Sequence, residues 1–89
     1  MMMTSDEFIK ECKEIVCKYE NEHMDTTDHK TLTTDDVYVV WLCFILGNQK
    51  CLLSTTNPDG MYFELTYNNT DNCIYFDAYK KWENKKIEM

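Results

Sequence analysis

Residues 37–46 read VYVVWLCFIL, the longest uninterrupted apolar stretch of the chain. β-Branched and aromatic side chains dominate this stretch, which is the composition of a strand and not of a helix. The turn residues Gly47-Asn48-Gln49 follow it directly. The sequence therefore predicts a strand at 37–46 that turns back into an antiparallel neighbour.

The pattern that follows continues as a meander. Further strands are predicted at 51–55, 61–67 and 73–76. The turn Asn57-Pro58-Asp59-Gly60 separates the first two of these, because proline presets φ and glycine accepts a positive φ. A polar turn at 68–72 precedes the last strand. Short connections of this kind predict four antiparallel strands.

A helix is predicted before the strands, at about residues 5–22. Thr4 and Glu7 have the spacing of a capping box. Apolar residues then recur three and four positions apart, the spacing that places side chains on one face of a helix: Phe8, Ile9, Cys12, Ile15, Val16 and Tyr19. An acidic, threonine-rich connection, 23–36, follows, and Thr33 or Thr34 is predicted to cap a short helical turn through Asp36.

The pattern of the last residues, 77–87, fits two structures. Asp77 can cap a helix that presents Tyr79, Trp82 and Ile87, and this helix is the favoured prediction. Alternatively Tyr75, Asp77 and Tyr79 alternate, which would extend the fourth strand. The predicted fold is a single α+β domain, residues 1–89: an N-terminal helix, a four-stranded antiparallel meander and a short C-terminal helix.

The apolar strand at 37–46 raises a question of coverage. The first strand of a meander lies at the edge of the sheet, where proteins usually place charge, and this strand has none. Either the two helices cover it, or the strand order makes it central, or a second chain covers it.

The charge of the chain limits what it can bind. The chain has sixteen acidic residues, nine lysines and no arginine, for a net charge of −7. This balance argues against direct binding of DNA or RNA, because neutralisation of phosphates supplies most non-specific affinity. It suits a basic protein partner, including one that itself binds nucleic acid. The first 36 residues hold ten acids and four lysines, net −6.

No catalytic, metal or cofactor site is predicted. His23, His29, Asp25 and Asp28 lie close in sequence, but their spacing matches no zinc pattern, so they are interpreted as solvated loop residues. Glu64 has no evident second carboxylate for acid–base chemistry. Two glycines are too few for a phosphate-binding loop.

The five cysteines are interpreted as free thiols in a reducing cytoplasm. They are odd in number, and none lies in a CxxC pair. A pair between Cys43 and Cys51 across their hairpin is conceivable. The N-terminus has no signal-peptide pattern, and no apolar run reaches the ~18 residues of a membrane span, so no membrane association is predicted.

Several blocks of the sequence resemble a family of small uncharacterised proteins from phages and prophages of low-GC Gram-positive bacteria. They are DVYVVW (36–41), LLSTT (52–56), DGMY (59–62) and DAYKKWEN (77–84). The resemblance covers nearly the whole chain. It implies a location in the cytoplasm of a bacterial host, and it assigns no functional residues.

The leading functional hypothesis is a non-enzymatic interaction protein, an anti-defence inhibitor such as an anti-CRISPR. Its acidic surface would bind a host or CRISPR nuclease. The predicted binding residues are Asp25, Asp28, Asp35, Asp36, Tyr38 and Trp41. One alternative is a dimer that sequesters a small molecule or nucleotide in a cleft lined by Tyr38, Trp41, Tyr62 and Tyr75. Another is a structural accessory protein of phage replication, with the apolar strand at a dimer interface.

Overall fold

In the computed structural model, which describes residues 3–23 and 31–89, one helix packs on one face of a four-stranded antiparallel sheet. The helix, α1, is Ser5–His23, and the strands are β1 (Val37–Ile45), β2 (Asn48–Thr55), β3 (Met61–Asn68) and β4 (Cys73–Lys80). They are ordered β1-β2-β3-β4. The prediction of an N-terminal helix followed by an antiparallel meander is confirmed.

Helix α1 begins at the predicted capping box. The Thr4 N–H donates to Glu7 Oε1 at 3.0 Å, and the Glu7 N–H donates to Thr4 Oγ1 at 3.1 Å. Hydrogen bonds to the Glu7 carboxylate from the Thr4 backbone N–H and the Thr4 hydroxyl lower the pKa of Glu7, because they stabilise its ionised form. The helix then buries a stripe of side chains spaced by four against the sheet: Phe8, Cys12, Val16 and Glu20.

The core lies between this stripe and one face of the sheet, which we call the inner face. Every second residue of the central strands points into it, as strand geometry requires: Gln49, Cys51, Leu53, Phe63, Leu65 and Tyr67 are all buried. Aromatic contacts join the layers, with Tyr19 of α1 4.9 Å from Phe76 and 5.7 Å from Phe63 between ring centroids. The opposite side of the sheet, the outer face, has no described element packed against it.

The predicted C-terminal helix is wrong, because β4 continues to Lys80 and residues 81–89 form neither helix nor strand. The pairing of β4 with β3 is unbroken from Asn68↔Cys73 to Met61↔Lys80. The neighbouring strand thus supplies hydrogen bonds along all of β4, which outweighs the local preference for a short helix.

The first hairpin also differs from its prediction. The loop is Leu46-Gly47, not 47–49, and β2 begins at Asn48 instead of residue 51. Both loop residues have positive φ, 49° and 81°. This is the conformation of a two-residue turn whose twist matches that of the strands, and asparagine followed by glycine is its preferred sequence.

The end of the connection is anchored to α1 by one side chain. Asn21 Oδ1 accepts from the Leu32 N–H at 2.8 Å, and its Nδ2 donates to the Leu32 carbonyl at 3.0 Å. The amide thereby pairs with Leu32 as a neighbouring strand would. The predicted short helical turn is confirmed as a 3-10 turn, Thr34–Asp36, that leads into β1.

Candidate interaction surface

The outer face is rich in half-exposed aromatic side chains. The register pairs Trp41 with Leu52, Tyr62 with Tyr79 and Thr66 with Tyr75. Directly paired residues share a face of the sheet, so five aromatic residues share this one: Tyr38, Trp41, Tyr62, Tyr75 and Tyr79. Tyr38, Tyr75 and Tyr79 are each about half exposed. The four aromatics predicted to line a cleft are thus on one side of the molecule, but on an open sheet face.

A β-bulge in β1 determines which way Trp41 points. The register shifts between Val39 and Trp41, so that Val40 is the extra residue. Val39 pairs with buried Leu53 and packs against the core, whereas Trp41 pairs with Leu52 on the outer face. Simple alternation from Val37 would turn Trp41 inward. The bulge therefore places Trp41 on the same face as Tyr38.

The end of β1 forms an apolar projection that the sequence analysis missed. Phe44, Ile45 and Leu46, which we call the hairpin tip, are 56%, 60% and 98% exposed. Leu46 also has the left-handed φ of 49°, which is unfavourable for a branched side chain. A depression of about 210 Å³ lies beside the tip, lined by Ile45, Leu46, Asn48, Gln49, Lys50 and Thr66. An available signal was the leucine before Gly47, where such a turn favours asparagine.

The predicted acidic residues have different roles. Asp36 closes the 3-10 turn, since its Oδ2 accepts from the Thr33 N–H at 2.9 Å. Its carbonyl accepts from the Thr56 N–H at 3.0 Å, which ties the turn to the end of β2. Asp35 is exposed in the turn that leads into β1, close to Tyr38 in the sequence. Asp25 and Asp28 lie outside the described residues.

The outer face has a small set of charges on its central strands. Lys50 Nζ lies 3.4 Å from Glu64 Oε1, and Glu64 is paired in register with Asp77 of β4. The second carboxylate that the sequence did not reveal beside Glu64 is therefore Asp77. Both side chains reach solvent on the outer face.

A second pair of carboxyl groups lies where α1 meets the turn after β2. Glu20 is 6% exposed, and its Oε2 accepts from Asn57 Nδ2 at 3.3 Å. Burial raises the pKa of Glu20, and the adjacent carboxyl of Asp59 raises it further, whereas Asn57 and the charge of His23 oppose these effects. The folded domain therefore holds a proton on Glu20 more tightly than the unfolded chain does.

Replacing Glu20 with glutamine should stabilise the domain at pH 7. At pH values between the ordinary glutamate pKa of 4.5 and the raised pKa of Glu20, the folded state binds more protons than the unfolded state. The free energy of unfolding therefore falls as the pH rises through this range. Glutamine keeps the acceptor for Asn57, removes the repulsion from Asp59, and should add about 1 kcal/mol. Urea unfolding at pH 4.5 and pH 7 tests this against Glu22→Gln on the exposed side of α1. A Glu20→Gln variant less stable than wild type at pH 7 would contradict the expectation.

Two of the cysteines meet in the core. Cys12 of α1 and Cys51 of β2 are fully buried, and a hydrogen bond between the two thiols, together with burial, raises the pKa of Cys12. A Cys43–Cys51 pair does not form, because Cys43 pairs with Lys50 on the outer face and Cys51 points inward. Cys17 donates to the Leu32 carbonyl.

The described ranges contain no group of three or more histidine, cysteine, aspartate or glutamate side chains placed to hold a metal ion. Of the predicted loop cluster only His23 is described, where its ring stacks on Tyr19 at 4.1 Å. Within residues 3–23 and 31–89, no helix combines the length and the apolar character needed to cross a membrane.

The fold and its exposed residues define a class: a small α+β domain with one covered and one open sheet face. Comparison with known sequences gives the family. The chain belongs to DUF6275, a family of unknown function, which matches residues 9–89. No curated protein and no solved structure matches the chain.

Proposed function

We propose that this protein is a non-enzymatic interaction protein whose partner binds along β1. The observation that supports this best is the set of exposed apolar side chains on that strand and at the hairpin tip: Tyr38, Val40, Trp41, Phe44, Ile45 and Leu46. Monomeric proteins rarely leave such a patch open unless it binds something. The strained backbone of Leu46, which holds an almost fully exposed leucine, is also a feature that functional sites preserve.

The chemistry of the strand and its surroundings suggests the type of partner. Aromatic side chains such as Trp41 and Tyr38 are the residues that most often dominate binding energy at protein interfaces. Asp35 lies just before them in the chain, and the whole chain has a net charge of −7. An apolar strip with Asp35 at one end, on a chain of net negative charge, complements a basic protein with an apolar groove, such as a protein that binds nucleic acid.

The resemblance to phage proteins suggests the biological setting. In a phage, a small acidic protein of this kind would act as an anti-defence inhibitor, for example an anti-CRISPR that occupies a nuclease of the host. The aromatic residues that share the outer face support a second candidate, a dimer that sequesters a flat ligand such as a nucleotide. A third candidate is an accessory protein of phage replication.

Affinity capture from infected host cells, followed by a DNA-cleavage assay with the captured nuclease, tests the leading proposal. Trp41→Ala should weaken capture by about 30-fold, since truncation of a central aromatic costs about 2 kcal/mol. Leu46→Asn should also weaken capture while the domain becomes more stable, because asparagine suits the left-handed turn. Asp35→Lys isolates the electrostatic contribution.

Tyr79→Ala is the matched control, because Tyr79 is an aromatic residue on the same face but on β4. It should leave capture unchanged if the partner binds along β1. Equal losses for Trp41→Ala and Tyr79→Ala would instead favour a ligand that spans the outer face. Capture of no nuclease, or full cleavage activity in the presence of the protein, would contradict the inhibitor proposal.

A further inference from the structure

The free edge of β4 is a regular template for another strand. β4 pairs with β3 over all eight residues without a register shift. It is the last strand of the sheet, so the backbone groups on its other side have no described strand beside them. The opposite edge of the sheet, β1, is interrupted by the bulge at Val40, a device that discourages strand addition. Only the β4 edge is regular.

The C-terminal tail, residues 81–89 with the sequence KWENKKIEM, leaves the sheet at this edge. Its first residue donates a backbone hydrogen bond to the Gly60 carbonyl at 2.7 Å. Beyond it, the tail has no hydrogen bond or ion pair to the rest of the described chain. Trp82 is 94% exposed and Ile87 74%. The radius of gyration is 14.5 Å, against about 12 Å for a compact chain of this length.

The tail is also opposite in charge to the rest of the molecule. Residues 81–89 hold three lysines and two glutamates, net +1, whereas residues 1–80 hold six lysines and fourteen acids, net −8. On β4 itself, Asp77 is an exposed carboxylate of the outer face. A basic extended segment with two large apolar side chains therefore fits a strand edge that carries the exposed carboxylate of Asp77.

We propose that the tail of one copy adds to the β4 edge of a second copy, and the reverse, about a two-fold axis near Lys81. Antiparallel pairing about this axis sets Lys85 opposite Asp77 and Ile87 opposite Tyr75. A slip of two residues keeps the same faces together. A slip of two residues in one direction would place Glu83 opposite Asp77, and a slip of two in the other direction would place Ile87 opposite Asp77. Only the central register pairs a lysine with Asp77, so charge selects it.

The tail reaches the β4 edge of a second copy more easily than its own. To pair with its own β4, the chain would have to reverse directly after Lys80. The residues at that point, Lys-Trp-Glu-Asn at 81–84, include neither glycine nor proline and favour no tight hairpin turn. The hydrogen bond from the Lys81 N–H to the Gly60 carbonyl also extends the pairing of β4 with β3 by one residue. This dimer uses β4, so it leaves the partner-binding strip on β1 free.

Analytical ultracentrifugation at micromolar concentrations tests the dimer. The full chain should sediment with the mass of two chains, each 10.7 kDa. A chain that ends at Lys81 should sediment as a monomer and keep its far-UV circular dichroism, because residues 82–89 lie outside the packed domain. A wild-type monomer would overturn the proposal, including the case in which the tail folds onto its own sheet. A truncated chain that remains a dimer would overturn it as well.

Charge reversal tests the register. Lys85→Glu should raise the dimer dissociation constant about tenfold, because the pair with Asp77 occurs twice about the axis. Adding Asp77→Lys should restore most of the affinity. Lys86→Glu is the matched control, with the same change of charge one residue away but on the other face, opposite Phe76. Equal effects of Lys85→Glu and Lys86→Glu would rule out the proposed register.

Discussion

Replacing Phe63 with alanine is expected to lower the free energy of unfolding by about 3–5 kcal/mol. Phe63 is fully buried at the centre of the inner face. Its ring lies edge-on to Tyr19 of α1 at 5.7 Å and stacks with Phe76 of β4 at 5.8 Å. Truncation leaves a cavity between the helix and the sheet that neither ring can fill without losing its other contacts. Urea unfolding followed by circular dichroism measures the loss.

The matched control for this prediction is Phe44→Ala. Phe44 has the same side chain and, being paired with Gln49, belongs to the same face of the sheet. It is 56% exposed at the hairpin tip, so its truncation should change stability by about 0.5 kcal/mol or less. The free energy of unfolding of a domain of this size is about 5–10 kcal/mol in total, so the difference between the two variants is easily resolved. Similar losses for the two variants would mean that the hairpin tip is packed in solution.

Deleting Val40 is expected to leave the fold intact, although the loss of one residue from a strand usually disrupts its pairing. Val40 is the extra residue of the bulge, and without it Val39, Trp41 and Leu42 alternate regularly opposite β2. Every remaining side chain keeps its face. The free energy of unfolding should therefore change by about 1 kcal/mol or less. Deletion of Cys43 is the control. If the hairpin keeps its pairing, this deletion moves Trp41 to the position of Leu42 on the inner face, and otherwise the hairpin pairing is broken. Either outcome should lower the free energy of unfolding by about 1–3 kcal/mol.

The same deletion should change how the protein associates. Without the bulge, β1 becomes a flat, uncharged edge strand, which is the arrangement that promotes edge-to-edge association. Light scattering of the folded variant should show assemblies larger than those of wild type. A Val40 deletion that unfolds the domain would contradict the bulged pairing of β1 with β2, and one that folds without association would show that the bulge does not protect the edge.

The elements determined by nearby residues could be predicted from the sequence. The capping box of Thr4 and Glu7 and the spacing from Phe8 to Tyr19 define α1, and the β-branched composition of 37–46 defines β1. Elements that depend on distant pairing could not. Residues 77–80 form a strand because β3 lies beside them, and no local signal distinguished this from a helix.

The candidate surface was predicted in part, for related reasons. Tyr38 and Trp41 belong to the uncharged strand predicted at 37–46, and both lie on the outer face. The bulge that turns Trp41 outward lies within two identical residues, Val39 and Val40, so no local pattern reveals it. The hairpin tip is not predicted, because the predicted turn at 47–49 leaves Leu46 inside the predicted strand.

Because of the hydrogen bonds between Asn21 and Leu32, the domain should tolerate a peptide inserted between these two residues. One side chain fixes both ends of the intervening segment, so the chain between them can be lengthened without moving α1 or β1. Each doubling of a loop's length costs only about 0.6 kcal/mol of closure entropy. A peptide inserted into the chain between Asn21 and Leu32 should therefore cost the domain little stability.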